Sequence, residues 1–408
     1  MEKKNRSRAD KSGFQRARET RRNPPSSSNS WKFRPPARKE PHAAVEQSSD
    51  PSSSIRERSH NDGNLYSPNA PALVGTCPDM CPEKERAQRE RLRDLAVFER
   101  LDGNLARTSP GLAVKKFCRT ISTIHIQASD IRPLPVLQNT LKYLLDLMDS
   151  PEYPFEVVHD FIFDRTRSIR QDLSIQNMIN DQAICMYEDM VKFHIISHKK
   201  LGRCCGKSDV SSLCYLNMEQ LMKCLLSLFD MYDINQRSKS IGKNAAEFYS
   251  FYVLLHLGYK IPKMGDSLSF WYSQLALPIL QSKEMCFARS LLRYSQVGNY
   301  KRLFSTIAAE ASDLQLCLLE PFLNEVRGQA LSYISYSSYK LQPYPLRDLC
   351  KILMIKEADL ESLCYECGLE TSTDEGGSKF LPAKQTSFRL PKPGFQSYSL
   401  FNSEKNHR

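Results

Sequence analysis

"GTCPDMCPEKERAQRERLRDLAVFERL", residues 75–101, is where the chain changes character. Cys77 and Cys81 are separated by three residues, and a proline follows each. In the charged run that follows, Leu92, Leu95, Val97, Phe98 and Leu101 recur near helical spacing, which predicts a helix over 83–101. Pro82 suits its first turn, where a missing N–H costs nothing. Glu83 and Glu85 complement the positive end of the helix dipole. Cys77, Pro78, Met80, Cys81 and Pro82 read as a structural anchor: the prolines stiffen an extended strip, and Cys77, Met80 and Cys81 are its apolar contacts. A zinc site is the next reading and a redox pair the third. Zinc takes about four ligands, and no His or Cys lies between Cys81 and Cys118. Cys364 and Cys367 could complete a set, but they extend the apolar face of a helix, where cysteine acts as a small hydrophobe. No metal or cofactor is expected.

Upstream, the chain is basic. Of its 408 residues, 1–60 hold 15 Lys/Arg against 7 Asp/Glu, while the rest holds 42 against 39. This arm is rich in Ser, Pro and Arg and too poor in apolar residues to offset the entropy of ordering, so 1–70 reads as a disordered basic tail. Clustered arginines also fit nuclear targeting or contact with RNA phosphates. The opening MEKKNRSRADKSG has no apolar core of a secretory signal. No run reaches the roughly 18 apolar residues of a membrane span, so no membrane association is expected. The thirteen cysteines then read as reduced thiols of the cytosol or nucleus.

Downstream, amphipathic helices are predicted over 134–149, 155–173, 181–200, 213–234, 243–257, 284–296, 300–310 and, less regularly, 313–337. Strand patterns are scarce. The fold class is therefore all-α: an irregular helical repeat domain over 71–342. From residue 343 two short helices follow, the second ending at Gly368. A Gly-rich turn then leads to a short strand at Lys379–Leu381. Helix, helix, turn and strand over 343–390 is the outline of a winged-helix module, and 391–408 reads as a flexible tail.

The blocks at 75–90 (GTCPDMCPEKERAQRE) and 163–173 (FDRTRSIRQDL) resemble signatures of the Sac three / GANP family, scaffolds of the TREX-two messenger-RNA export complex. The resemblance continues through Val114–Phe117, Ile131–Pro133, FHIISH at 193–198 and Glu247–Phe248, and covers roughly 75–385. It implies a PCI-like helical domain ending in a winged helix. It also implies a nuclear, non-enzymatic scaffold that pairs with a PCI-domain partner and a small acidic Sem/DSS-type protein to bind RNA or messenger ribonucleoprotein. Long family members carry Phe-Gly repeats and a long C-terminal helix. This tail has no such repeats, and Pro391, Pro393 and Gly394 would break a helix, so neither nuclear-pore contact nor centrin binding is carried over to this chain. The alternative is the same fold in another PCI-type assembly, proteasome-lid-like or translation-factor-like, or in a mitotic or centrosomal role.

Beside the anchor, two sets of residues carry the functional reading. In the 163–173 block, Asp164, Arg165, Arg167, Arg170 and Asp172 sit among Phe161, Phe163, Ile169 and Leu173. They read as a buried ion network, with Asp164 meeting Arg167 at i+3 and Glu188 a partner on the next helix. The rival is a phosphate-binding strip of Arg165, Arg167 and Arg170, opposed by the interleaved acids. Lys351, Lys356, Lys379, Lys384 and Arg389 are candidate nucleic-acid contacts on the C-terminal module; Glu357, Asp359 and Glu361 nearby support ordinary surface charge instead. Enzyme signatures are incomplete. His194 and His198 lack the glutamate of a zinc-protease helix, and 202–208 has one residue too few for a phosphate-binding loop.

Overall fold

The computed structural model describes residues 73–119, 126–203, 208–236, 244–258, 267–337 and 342–390, with 398 and 400. The basic tail, most of the 202–208 loop and the segment holding Pro391, Pro393 and Gly394 lie outside the described residues. No helix among the described residues is long and apolar enough to cross a membrane.

The chain is mostly helical. It begins with an extended strip, 73–82, followed by α1 (Glu83–Leu92). Here the expected helix through Leu101 is corrected. Arg93 adopts φ 55°, ψ 34°, and ends α1 in the left-handed conformation, after which only short 3-10 turns appear at Val97–Glu99 and Leu101–Gly103. The physical reason is Arg89. It is buried and donates to the Asp94 and Val114 carbonyls at 3.1 and 3.0 Å and to the Glu99 carboxylate, which a continued helix would carry away.

The helices α2 (Leu134–Asp146), α3 (Phe155–Ile175), α4 (Asp181–Arg203) and α5 (Ser208–Gln236) follow, near their expected bounds. On α3, Val158, Phe161, Ile162, Ile169 and Leu173 are buried at i, i+3, i+4 spacing. Next comes α6 (Ala245–Leu255), buried almost all round from Phe248 to Leu255, as a central helix must be. Its Tyr249 stacks on Phe229 at 4.4 Å, and Tyr252 lies 4.6 Å from the Trp271 ring. The short α7 (Leu268–Gln274) and α8 (Leu277–Leu280) have no counterpart in the periodicity, because so few residues cannot display one.

Then α9 (Lys283–Gln296), α10 (Tyr300–Glu310) and α11 (Asp313–Ser337) complete the helical body. Ser282 and Asn299 cap α9 and α10 by accepting from Met285 N and Arg302 N, both at 3.2 Å. Packing runs largely from neighbour to neighbour: α4 on α5, α5 on α6, α6 on α9, α9 on α10. Meanwhile α11 returns to α4 and α6. The neighbour-to-neighbour packing is the contact pattern of a helical repeat, and the return of α11 makes it irregular.

The C-terminal part continues the same compact unit. It has β1 (Tyr344–Pro345), α12 (Leu346–Leu353), α13 (Glu357–Glu366), β2 (Ser372–Thr373) and β3 (Lys379–Leu381). The antiparallel order is β1-β3-β2, with Tyr344 opposite Leu381 and Thr373 opposite Lys379. Gly368 has φ +72°, and a Cβ there would meet the Ser387 carbonyl oxygen at 2.6 Å, so both backbone and space require glycine. This part packs onto the helical body through α12 on α10. Arg327 of α11, fully buried, donates to the Leu353, Met354 and Tyr398 carbonyls at 3.1, 2.8 and 3.2 Å.

Candidate functional site

The strip 75–81 is laid down by backbone pairing. Thr76 N and Cys77 N donate to the Ala128 and Ile131 carbonyls at 2.8 and 2.9 Å, and Gly75 N to Gln176 Oε1 at 2.9 Å. A Cβ at Gly75 would sit 2.5 Å from Ile131 O, so glycine permits the close approach. Cys77 and Cys81 are buried. Burial pushes the Cys81 thiol up to about 12, so it is a neutral apolar contact and not a thiolate. Pro82 stands just before α1 as its cap residue, with Met80 O accepting from Lys115 N at 2.9 Å. Among the described residues no group of three or more His, Cys, Asp or Glu could hold a metal. Cys364 and Cys367 are buried in and just after α13. Elemental analysis of the purified chain is expected to find no stoichiometric zinc; one zinc per chain would overturn the anchoring role.

Two buried charge clusters fasten this strip and its sequel to α3. In the first, fully buried Glu99 accepts from Arg89, from Arg165 Nη2 at 3.0 Å, and from the Ala96 and Val114 amides at 3.0 and 2.9 Å. Burial by itself raises its pKa, but the Arg165 and Arg89 charges and these hydrogen bonds outweigh it and hold the carboxyl below its ordinary range. In the second, Asp172 accepts from Lys115 Nζ and Arg132 Nε, both at 2.7 Å. Arg132 also donates to Ser168 Oγ at 2.8 Å and to Met80 O at 3.2 Å.

Of the network residues expected from the sequence, Arg165 and Asp172 are therefore buried, but in separate clusters. Four placements differ, that of Arg167 being taken up below. Asp164 pairs with Arg165 and accepts from Phe117 N at 3.2 Å, not from Arg167. Arg170 donates to Gln220 on α5. Glu188 takes no part: its oxygens accept from Tyr232 and Asn244 at 2.7 and 3.0 Å, tying α4 to α5 and to the start of α6. Sequence reasoning missed Arg89, Glu99, Lys115 and Arg132. Glu99 carried a signal, a charge inside the apolar run LAVFERL, whereas Arg89 lies among charged neighbours in AQRERLRD and carried none.

Arg167 stands apart. It is half-buried, with its guanidinium 3.8 Å from the Phe117 ring centroid and 5.7 Å from that of Phe163, and it has no hydrogen bond or ion pair among the described residues. A stacked but unpaired arginine contributes about 0.5–1 kcal/mol. Arg167→Ala is accordingly expected to lower stability by no more than about 1 kcal/mol in urea unfolding. A loss several times larger would mean that it balances a buried acid.

The histidines of FHIISH are packing residues. His194 Nδ1 lies 2.8 Å from Asn217 Oδ1, and burial takes its pKa down to about 3 and that of His198 to about 4. Their folded pKa values lie below the unfolded value of about 6.5, so the unfolded chain binds protons first and stability falls as pH drops below that point. His198→Phe is expected to flatten the loss of melting temperature between pH 6.5 and 4.5. A profile parallel to wild type would refute this.

On the C-terminal part, Lys351, Lys356, Lys384 and Arg389 are exposed. Lys379 pairs with Glu361, and Lys351 lies 4.0 Å from Asp348. Lys384 N and Arg389 N donate to the Ser335 and Cys367 carbonyls at 3.2 and 2.9 Å, fixing the backbone of the segment after β3. Residues 343–390 hold six Lys/Arg against eight Asp/Glu, so these cations do not make a basic surface overall.

The SAC3/GANP family model matches residues 80–373. Three relatives align over most of the chain. SAC3 family protein B of Arabidopsis thaliana is 38% identical over 71% of this chain and 17% of its own length. SAC3 family protein 1 of Schizosaccharomyces pombe is 32% identical over 83% of this chain and 34% of its own. Protein xmas of Drosophila melanogaster is 28% identical over 79% and 16%. The chain thus spans only about a sixth to a third of these relatives.

Proposed function

Because the chain belongs to the SAC3/GANP family, a scaffold-type family and not a known enzyme family, we propose that it is a non-enzymatic scaffold of a nuclear, TREX-two-like messenger-RNA export assembly. The observation that carries this reading is the family match over 80–373, which takes in the helical body and most of the C-terminal part. We read β1, α12, α13, β2 and β3 as a winged helix that pairs with a PCI-domain partner, joined by a small acidic Sem/DSS-type protein. The net acidic balance of 343–390 favours pairing as its chief role. Arg347, Lys356, Lys384 and Arg389 are the exposed cations there with no ion pair among the described residues.

The tagged chain, recovered from nuclear extract and analysed by mass spectrometry, is expected to bring down one PCI-domain protein and a small acidic protein in near-equal amounts. Recovery with proteasome-lid or translation-factor subunits instead would move the chain to another PCI-type assembly.

A further inference from the structure

We infer that the cleft between α3 and residues 93–100 binds the backbone of single-stranded RNA, with Arg167 as its central phosphate fork. The cleft has a volume of about 580 Å³. Arg167 lines it, stacked on Phe117 and carrying no protein acceptor. A guanidinium held face-on to a ring keeps its N–H donors in the plane, free for bidentate contact with an oxyanion. Its rotamer is fixed before any ligand arrives, which lowers the ordering cost of binding.

The charges around the cleft favour an anion. The acids Asp94 and Asp164 are paired, with Lys116 at 3.0 Å and with Arg165. That leaves Asp160 against Arg93, Arg100 and Arg167, none of which has an ion pair among the described residues. Exposed Arg119 adds a further charge close by. Burial and then Arg170 push the Arg167 guanidinium below its ordinary range, Arg119 in the same direction, and Asp164 and Glu219 do not restore it. The interleaved acids that oppose a phosphate strip in the sequence are thus mostly neutralised by their own partners.

Several separated arginines suit a strand of repeating phosphates better than a single carboxylate. Phe98 and Phe163, whose rings pack on Phe161 and His159 at 4.9 and 5.4 Å, also line the cleft, and an aromatic lining suits bases better than acidic side chains. The inference rests on the ribonucleoprotein role proposed above only for the choice of RNA as the strand.

The test uses the full chain and a fluorescein-labelled 20-mer of oligouridylate, followed by anisotropy at several salt concentrations. Residues 1–60 bring their own arginines, so the change in salt slope is the primary readout. Arg167→Ala is expected to weaken binding about tenfold and to lower the log–log slope by about 0.7, one single-strand phosphate contact. Arg119→Glu, an exposed position that a folding defect cannot explain, is expected to act in the same direction. Unchanged affinity and slope in both variants would overturn the inference, as would a wild-type chain that does not bind the 20-mer. Tighter binding of a labelled polyglutamate, lost in Arg167→Ala, would reassign the cleft to an acidic peptide. In parallel, Lys379→Glu/Lys384→Glu/Arg389→Glu tests the C-terminal part. If binding is unchanged in both variants while partners still copurify with Arg167→Ala, this inference falls and the scaffold reading stands.

Discussion

Glu99→Gln is expected to destabilise the fold by about 3–5 kcal/mol, the range for removing one partner of a buried ion pair. The size follows from what is left behind. Arg89 and Arg165 both direct Nη2 at the same Glu99 oxygen, and all three side chains are almost wholly buried. With a neutral amide at 99, Arg89 keeps only backbone carbonyls and a distant Glu85, 3.8 Å away. Arg165 keeps Asp164. The Ala96 and Val114 amides lose a charged acceptor as well.

The folded pKa of Glu99 is depressed, so its stabilising contribution is present above the unfolded value of about 4.3 and is lost as pH falls through the folded value. Wild type and Glu99→Gln should therefore differ fully at pH 7 and converge at strongly acidic pH. Lys116→Ala is the control: its pair with Asp94 is exposed and worth about 0–1 kcal/mol. A Glu99→Gln loss no larger than that of the control, measured by urea unfolding at constant m, would refute the buried cluster.

The long helices α2 to α5 and α9 to α11 were legible in the sequence because each buries a stripe whose period is local, and α6 because its run is apolar almost throughout. The ending of α1 was not. Leu92, Leu95, Val97, Phe98 and Leu101 fit a helical template, yet Leu92 is exposed and Leu95 is buried in an irregular segment. The deciding contacts there join Arg89 to Val114 and Arg165 to Glu99, across 25 and 66 residues, and no window of a dozen residues contains them. The same limit explains the ion network. Local spacing offered Asp164 with Arg167, but the backbone amide of Phe117 and the Arg165 guanidinium hold Asp164 instead. Phe117 then takes Arg167 on its ring. In the C-terminal part, β1 and β2 have two residues each and exist only through β3, so they carry no periodic signal of their own.

Asp172→Ala should produce a loss of similar size, about 3–5 kcal/mol, but with a local signature. Asp172 is fully buried on α3, and its two oxygens hold Lys115 and Arg132 from two different loops. Those two residues in turn hold the anchor: Lys115 N and Arg132 Nη1 both donate to Met80 O, and Ile131 O accepts from Cys77 N. Removing the carboxylate leaves two buried cations facing each other, so the loops should separate before α3 unfolds. Hydrogen exchange at Cys77 and Lys115 is then expected to rise by orders of magnitude, while amides in α4 and α6 change only by the global loss. Uniform acceleration everywhere would show that Asp172 supports the whole core and not the clamp. A triple variant, Asp172→Ala with Lys115→Met and Arg132→Met, separates charge from packing: apolar replacement of a buried ionic triad is often neutral or stabilising, so part of the loss should return. No recovery would assign the effect to the hydrogen bonds Arg132 makes to Ser168 and Met80. Phe117 lies two residues beyond Lys115, so an opened clamp also releases the ring from beneath Arg167. Asp172→Ala should therefore lose oligouridylate affinity although Asp172 itself lies outside the cleft lining.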